Sequence, residues 1–217
     1  MIRRLMEWLF PRKCMLCQSI LTRQELDLCR KCRVDQPQYR YGRKKVPFTA
    51  DLTAVWMYEG QVRKSLHRYK FRGARHYADG YGRLLAMRIL EDLPQADIIT
   101  WVPISARRLR SRGYDQVELL CGAVSRELGI PSEALLVKFR DNRANSDLKT
   151  PAERRANVLG VYKIPDPERL RGKRVLLLDD IVTTGATASE CARVLLTAGA
   201  KEVIFAAVAA AGNTSSK

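Results

Sequence analysis

No stretch of the 217 residues approaches the roughly 18 to 20 consecutive apolar residues that a membrane-spanning helix needs. Residues Met1 to Phe10 pair a basic flank with a brief apolar run, but Glu7 interrupts the run. Pro11-Arg12-Lys13 follows where a secretory leader would have small residues for cleavage, so a short amphipathic helix is expected instead. The chain is read as cytoplasmic. Histidine is scarce: His67 and His76 have no partner at ligand spacing and read as ordinary surface or packing residues. No internal repeat is visible, and no helix-turn-helix or other base-reading element.

What is present describes a globular chain. Hydrophobic residues make up 46% and charged residues 29%, enough for one full-sized α/β domain and a small appendage. Lys and Arg number 39 against 23 Asp and Glu, a formal charge of +16. That surplus favours nucleic acid, anionic lipid or phosphorylated small molecules, with a merely solvated surface as the plainer reading.

Cys14, Cys17, Cys29 and Cys32 form the pattern C-x2-C-x11-C-x2-C. Two residues between cysteines allow a tight turn to aim both sulfurs at one point, and two such knuckles complete a thiolate tetrahedron suited to structural Zn²⁺. Four protein ligands leave no open position for catalysis. An iron–sulfur cluster draws on the same donors. Two disulfides conflict with a cytoplasmic setting, and a redox pair needs a βαβ context that is missing here. The segment between the knuckles lacks apolar residues for its own core, so metal would supply much of its folding energy. Cys121 and Cys191 stand alone in helical patterns and read as buried small hydrophobes.

Residues 36–50 hold Pro37, Gly42, Pro47 and the run Arg43-Lys44-Lys45, the composition of a linker. Strands are expected over 51–58, 97–102, 134–139, 174–179 and 202–209, and helices over 61–70, 77–93, 116–128, 151–157 and 187–198. The apolar run 174–179 marks a strand buried on both faces. This alternation predicts an α/β fold with a doubly wound, mostly parallel sheet. The expected organisation is 1–35 for the helix and zinc module, 36–50 for a basic linker, 51–210 for the α/β domain, and 211–217 for a frayed tail.

Ligands of open parallel sheets bind beyond the strands' carboxyl ends. There Asp179 and Asp180 precede Thr183, Thr184, Gly185, Ala186 and Thr187, which lead into a helix. Carboxylates accept hydrogen bonds from sugar hydroxyls, while the turn's N–H groups, its hydroxyls and the helix N-terminus attract a phosphate. A ribose 5-phosphate satisfies both halves. The lysine of a Walker loop is absent.

These residues resemble the signature of the type I phosphoribosyltransferases. That resemblance implies 5-phosphoribosyl 1-diphosphate (PRPP) as ligand, with Asp179 and Asp180 on the ribose hydroxyls and residues 183–187 on the 5′-phosphate. A second loop, here Val102 to Ser105 trailed by Arg107 and Arg108, would meet the diphosphate with Mg²⁺ alongside, which brings in Ile104, Ser105 and Arg107. Together with the cysteine module, the segments Arg68 to Gly73, Val102 to Gln116 and Arg154 to Val158 are similar to the ComF (ComFC, GntX-like) family over roughly Lys13 to Ala210. The chain departs from the family in carrying Tyr114-Asp115-Gln116 where Phe-Asn-Gln is frequent. It also has Asn142 and Asn145 where Thr and Gln are frequent. The resemblance implies a zinc-bearing protein acting in uptake of transforming DNA at the inner face of the membrane, with a helicase-like ATPase as a partner.

Basic residues cluster at Arg40, Arg43, Lys44 and Lys45, at Arg63, Lys64, Arg68, Lys70, Arg72 and Arg75, and at Arg107, Arg108, Arg110 and Arg112. Interleaved Tyr39, Tyr41, Tyr69, Phe71 and Tyr77 complete the pattern of a sequence-tolerant single-stranded DNA binder. A solvated helix face plus diphosphate-binding arginines is the plainer account. Two functions therefore stand side by side: a PRPP- and DNA-binding competence protein, and an active phosphoribosyltransferase releasing diphosphate. A transcriptional regulator on the same fold ranks last.

Overall fold

The structure, a computed structural model, describes residues 11–42, 44–140, 142 and 150–212. The helix expected over residues 1–10, together with Arg43, Asn145 and the end of the tail, lies outside the described residues. In chain order the elements begin with α1 (Arg30–Asp35), β1 (Leu52–Met57), α2 (Gly60–Phe71), α3 (Tyr77–Asp92) and β2 (Ile98–Trp101). There follow α4 (Ala106–Arg112), α5 (Gln116–Leu128), β3 (Val137–Lys138), α6 (Pro151–Val158) and β4 (Tyr162–Lys163). A short 3-10 turn (Pro167–Leu170), β5 (Arg174–Val182), α7 (Ala186–Thr197) and β6 (Glu202–Ala210) complete the chain.

The main sheet has the order β1-β6-β5-β2, with every neighbouring pair parallel. Its middle strands carry the longest apolar runs because both of their faces are covered. The two-residue period of a strand then divides β5 between two cores. Leu176 and Leu178 join one with α2, α3 and α5, and Val175 and Leu177 join the other with α7. Helices α3 and α5 approach closely: a β-carbon on Gly82 would lie 2.5 Å from Ala123 Cβ. Among the described residues no helix is long and apolar enough to cross a membrane.

The strand expected over 134–139 is the main departure. Only Val137 and Lys138 are in β3, which pairs antiparallel with β4 in a separate ribbon. The preceding residues run along β2, with Ser132 bridged to Ile99 and Leu135 N donating to Thr100 Oγ1. Leu135 and Leu136 are buried there without continuing the ladder, so an apolar run stood for packing and not for a sheet strand. Helix α4 was not expected: Arg107, Arg108, Arg110 and Arg112 make up most of it and none of its residues is buried.

Residues 36–42 and 44–50 are packed against the sheet. Tyr39, Lys44 and Val46 are buried, Gln38 bridges Trp56, and Ala50 N donates to Val203 O at 2.8 Å. Burial lowers the Lys44 pKa, and its ammonium donates to Ala211 O at 3.1 Å.

Candidate functional site

Near the carboxyl edge of the sheet β5 carries Asp179 and Asp180 ahead of its last residues Ile181 and Val182, and residues 183–185 turn the chain into α7. Gly185 stands at φ 81° and caps the helix without a side chain, and Ala186 N donates to Thr184 Oγ1 at 3.4 Å. A cleft of about 1310 Å³ opens over this turn. Asp179, Asp180, Thr183, Thr184, Gly185, Ala186 and Thr187 all line it, as do Ile104 and Arg107 from the second loop. Ser105 does not. Its hydroxyl accepts from Arg108 N at 3.4 Å and caps α4. With Arg63, Lys70, Arg107, Arg108, Arg112, Lys138 and Arg154 facing two carboxylates, the lining has seven cations, a field suited to a polyanion.

The two acids occupy different settings. Asp180 is 3% exposed and has both oxygens engaged: Lys70 Nζ lies 2.8 Å from Oδ1, and Gln116 Nε2 donates to Oδ2 at 2.8 Å. Asp179 Oδ1 accepts from Asp180 N at 2.7 Å. Burial and then the adjacent Asp180 charge raise the Asp179 carboxyl well above its ordinary value, with Lys70 opposing.

Three residues had no part in this site from sequence, Lys70 standing only in a basic cluster read for DNA. Lys70 and Gln116 hold Asp180. Asp115 caps α5 by accepting from Val117 N at 2.8 Å and Glu118 N at 3.3 Å, and its other oxygen accepts from Ile104 N at 3.3 Å. It therefore ties the second loop to α5. Burial raises its pKa, while those backbone donors oppose the shift. The available signal was an Asp directly before a helical pattern. Arg112 donates to Gln116 Oε1 and lies 4.9 Å from the centre of the Phe71 ring; burial lowers its pKa.

Of the interleaved aromatics, Tyr39, Tyr69 and Tyr77 are buried and offer no face to a base. Phe71 and Tyr41 are exposed, and Phe71 alone of the five lines the cleft.

The four cysteine sulfurs lie within 4.8 Å of one another, and Cys17 Sγ is 3.6 Å from Cys29 Sγ. Thiolates at the usual Zn–S length of about 2.3 Å have sulfur–sulfur edges of about 3.8 Å, so this donor set fits a tetrahedral ion. All six cysteines are free thiols, and Cys121 and Cys191 are buried. The module shares its core with the α/β domain through Met15, Leu16, Leu21 and Leu28. Arg68 donates to Met15 O at 2.9 Å and to Leu16 O at 2.7 Å, between the first two ligands.

A family model for the phosphoribosyl transferase domain matches residues 118–217. DNA utilization protein YhgH of Escherichia coli (strain K12) is 30% identical over 199 residues, covering 88% of this chain and 86% of that protein. Competence protein ComFC of Bacillus subtilis (strain 168) is 24% identical over 173 residues, 79% of this chain and 67% of the relative. Competence protein F of Haemophilus influenzae (strain ATCC 51907 / DSM 11121 / KW20 / Rd) is 29% identical over 146 residues, 64% and 63% respectively.

Proposed function

The chain belongs to the ComF family of phosphoribosyltransferase-like proteins, and on that premise we propose that it binds PRPP with Mg²⁺ and single-stranded DNA in support of DNA uptake. One observation carries the ligand reading: an acid pair and the N-terminus of α7 face the same cationic cleft. In this reading Asp179 and Asp180 accept the ribose hydroxyls, and residues 183–187 hold the 5′-phosphate. Ile104 and Arg107 meet the diphosphate, and Mg²⁺ neutralises part of its charge. Zn²⁺ on Cys14, Cys17, Cys29 and Cys32 is structural.

Support for DNA comes from the relatives' names and from the rim, where exposed Phe71 stands beside Arg112. Base stacking on an aromatic face with cations along the backbone is the sequence-tolerant mode of single-strand binding. The protein would act in the cytoplasm at the inner face of the membrane, handing strand to or from a helicase-like ATPase.

Turnover of PRPP is the second reading. The cleft exceeds the roughly 300–1,000 Å³ usual for one small ligand, which leaves room for an acceptor. Calorimetry with PRPP and Mg²⁺, repeated with single-stranded DNA present, separates these functions. Coupled binding is expected; no heat with PRPP sinks the ligand reading. Diphosphate release with a panel of bases, abolished in Asp180→Asn, would favour the enzyme.

A further inference from the structure

Helix α2 makes contact with both centres. Arg68 Nη2 donates to the carbonyls of Met15 and Leu16, the two residues enclosed by Cys14 and Cys17. Ser65 Oγ donates to the same Met15 carbonyl. Two residues after Arg68, Lys70 Nζ sits 2.8 Å from Asp180 Oδ1. Successive helical residues are turned by about 100°, so Arg68 and Lys70 project to nearly opposite sides of one rod. Between them Tyr69 is fully buried, and its hydroxyl donates to Gln116 O at 2.5 Å. Val62 and Leu66 are equally enclosed, so the helix has no empty space into which to shift.

We infer that α2 is a rigid link through which the metal-bound knuckle positions the ribose acid, with Arg68 and Lys70 as its two positioning residues. The inference rests on the reading of the cleft as a PRPP site and of the cysteines as a zinc site. An ion held by Cys14 and Cys17 fixes the intervening carbonyls, and these fix Arg68 and the register of α2. That register sets the Lys70 ammonium against Asp180. A polyanion in the cleft strengthens the field that holds Lys70 in place, so its binding seats α2 more firmly on the knuckle. Linkage makes the effect mutual: ligand retards metal loss, and metal loss weakens ligand binding.

Zinc release from the loaded full-length protein to a colorimetric chelator, with Mg²⁺ alone as control, provides the test. PRPP with Mg²⁺ should slow release about fivefold, a factor at the low end of ordinary coupling between sites. Asp180→Asn without ligand should speed release by a similar factor, because Lys70 loses its charged partner. Lys70→Met, at a position with 21% of its side chain exposed, should release zinc at one rate with or without PRPP. Circular dichroism confirms that each variant remains folded.

The outcomes distinguish this inference from the one beneath it. Tight PRPP binding by calorimetry with unchanged zinc release, in wild type and Asp180→Asn alike, overturns the link and spares the ligand reading. No PRPP binding, with faster release from Asp180→Asn, overturns the ligand reading and sustains the link. If Asp180→Asn unfolds, Lys70→Met decides: zinc release as slow as wild type and still slowed by PRPP overturns the link.

Discussion

Val46 Cγ2 lies 2.6 Å from the place a β-carbon on Gly185 would take, so the arm is seated through Val46 directly on the phosphate turn. Gly185→Ala would meet both this clash and the strain of an alanine at φ 81°. The expected loss is about 1–3 kcal/mol, the scale of one strained backbone residue. Thermal unfolding of Gly185→Ala, Val46→Ala and the double variant separates the two terms. Val46→Ala should restore the clash component and leave the strain. Full additivity of the single variants would mean that the arm does not press on the turn.

Asp179 has a measurable pH signature. Its folded carboxyl keeps its proton to higher pH than the unfolded chain does, because of burial and the nearby Asp180. Its contribution to stability is therefore complete below the ordinary carboxylate pKa and is lost as pH rises through the raised value. Asp179→Asn removes that loss while its side-chain oxygen still accepts from Asp180 N. The variant should gain stability at neutral pH, read as a higher Tm. The gain should shrink towards pH 4. An equal gain at both pH values would place its cause elsewhere.

The sequence foretold much of this fold, and for physical reasons. Runs such as 174–179 and 202–209 are apolar on both faces because the middle of a covered parallel sheet demands it, and Gly129 and Gly199 end helical patterns. The acid pair and Thr-Thr-Gly turn were visible because they are contiguous. Lys70 and Gln116 were not, because both reach Asp180 across long sequence separations, and Asp115, legible as a helix cap, gave no sign of its bond to Ile104 N. Arg68, counted among the basic residues of a DNA-binding cluster, donates to knuckle carbonyls, and Tyr39, Tyr69 and Tyr77 are core residues. Periodicity cannot distinguish an amphipathic residue that stacks on a ligand from one that packs inward.

Asp115 allows a sharper comparison of substitutions. Asn caps helices as well as Asp does, so Asp115→Asn should keep the α5 cap through its one oxygen, but its NH2 is a donor and cannot accept from Ile104 N. Asp115→Ala removes the acceptor for two α5 amides and for Ile104 N, at a cost of roughly 1–2 kcal/mol typical of a lost cap. Both variants should weaken PRPP binding, because each releases Ile104 N from α5, whereas only Asp115→Ala also loses the cap. Wild-type PRPP affinity in Asp115→Asn would show that Ile104 needs no such anchor.

Single-stranded DNA binding, if carried by the cationic rim, has a defined salt dependence. Each phosphate contact releases counterions, so log K should fall linearly with log salt by about 0.7 per contact. Arg107 and Arg108 flank the cleft on a helix with no buried residue, so Arg107→Gln and Arg108→Gln should each flatten that slope by about one contact without altering the fold. Phe71→Ala acts differently. Stacking is uncharged, so affinity should drop by about 1–3 kcal/mol at every salt concentration while the slope stays. Fluorescence anisotropy with a labelled oligonucleotide over a salt series reads both quantities. A Phe71→Ala variant with wild-type affinity would remove base stacking from the account and leave only phosphate contacts.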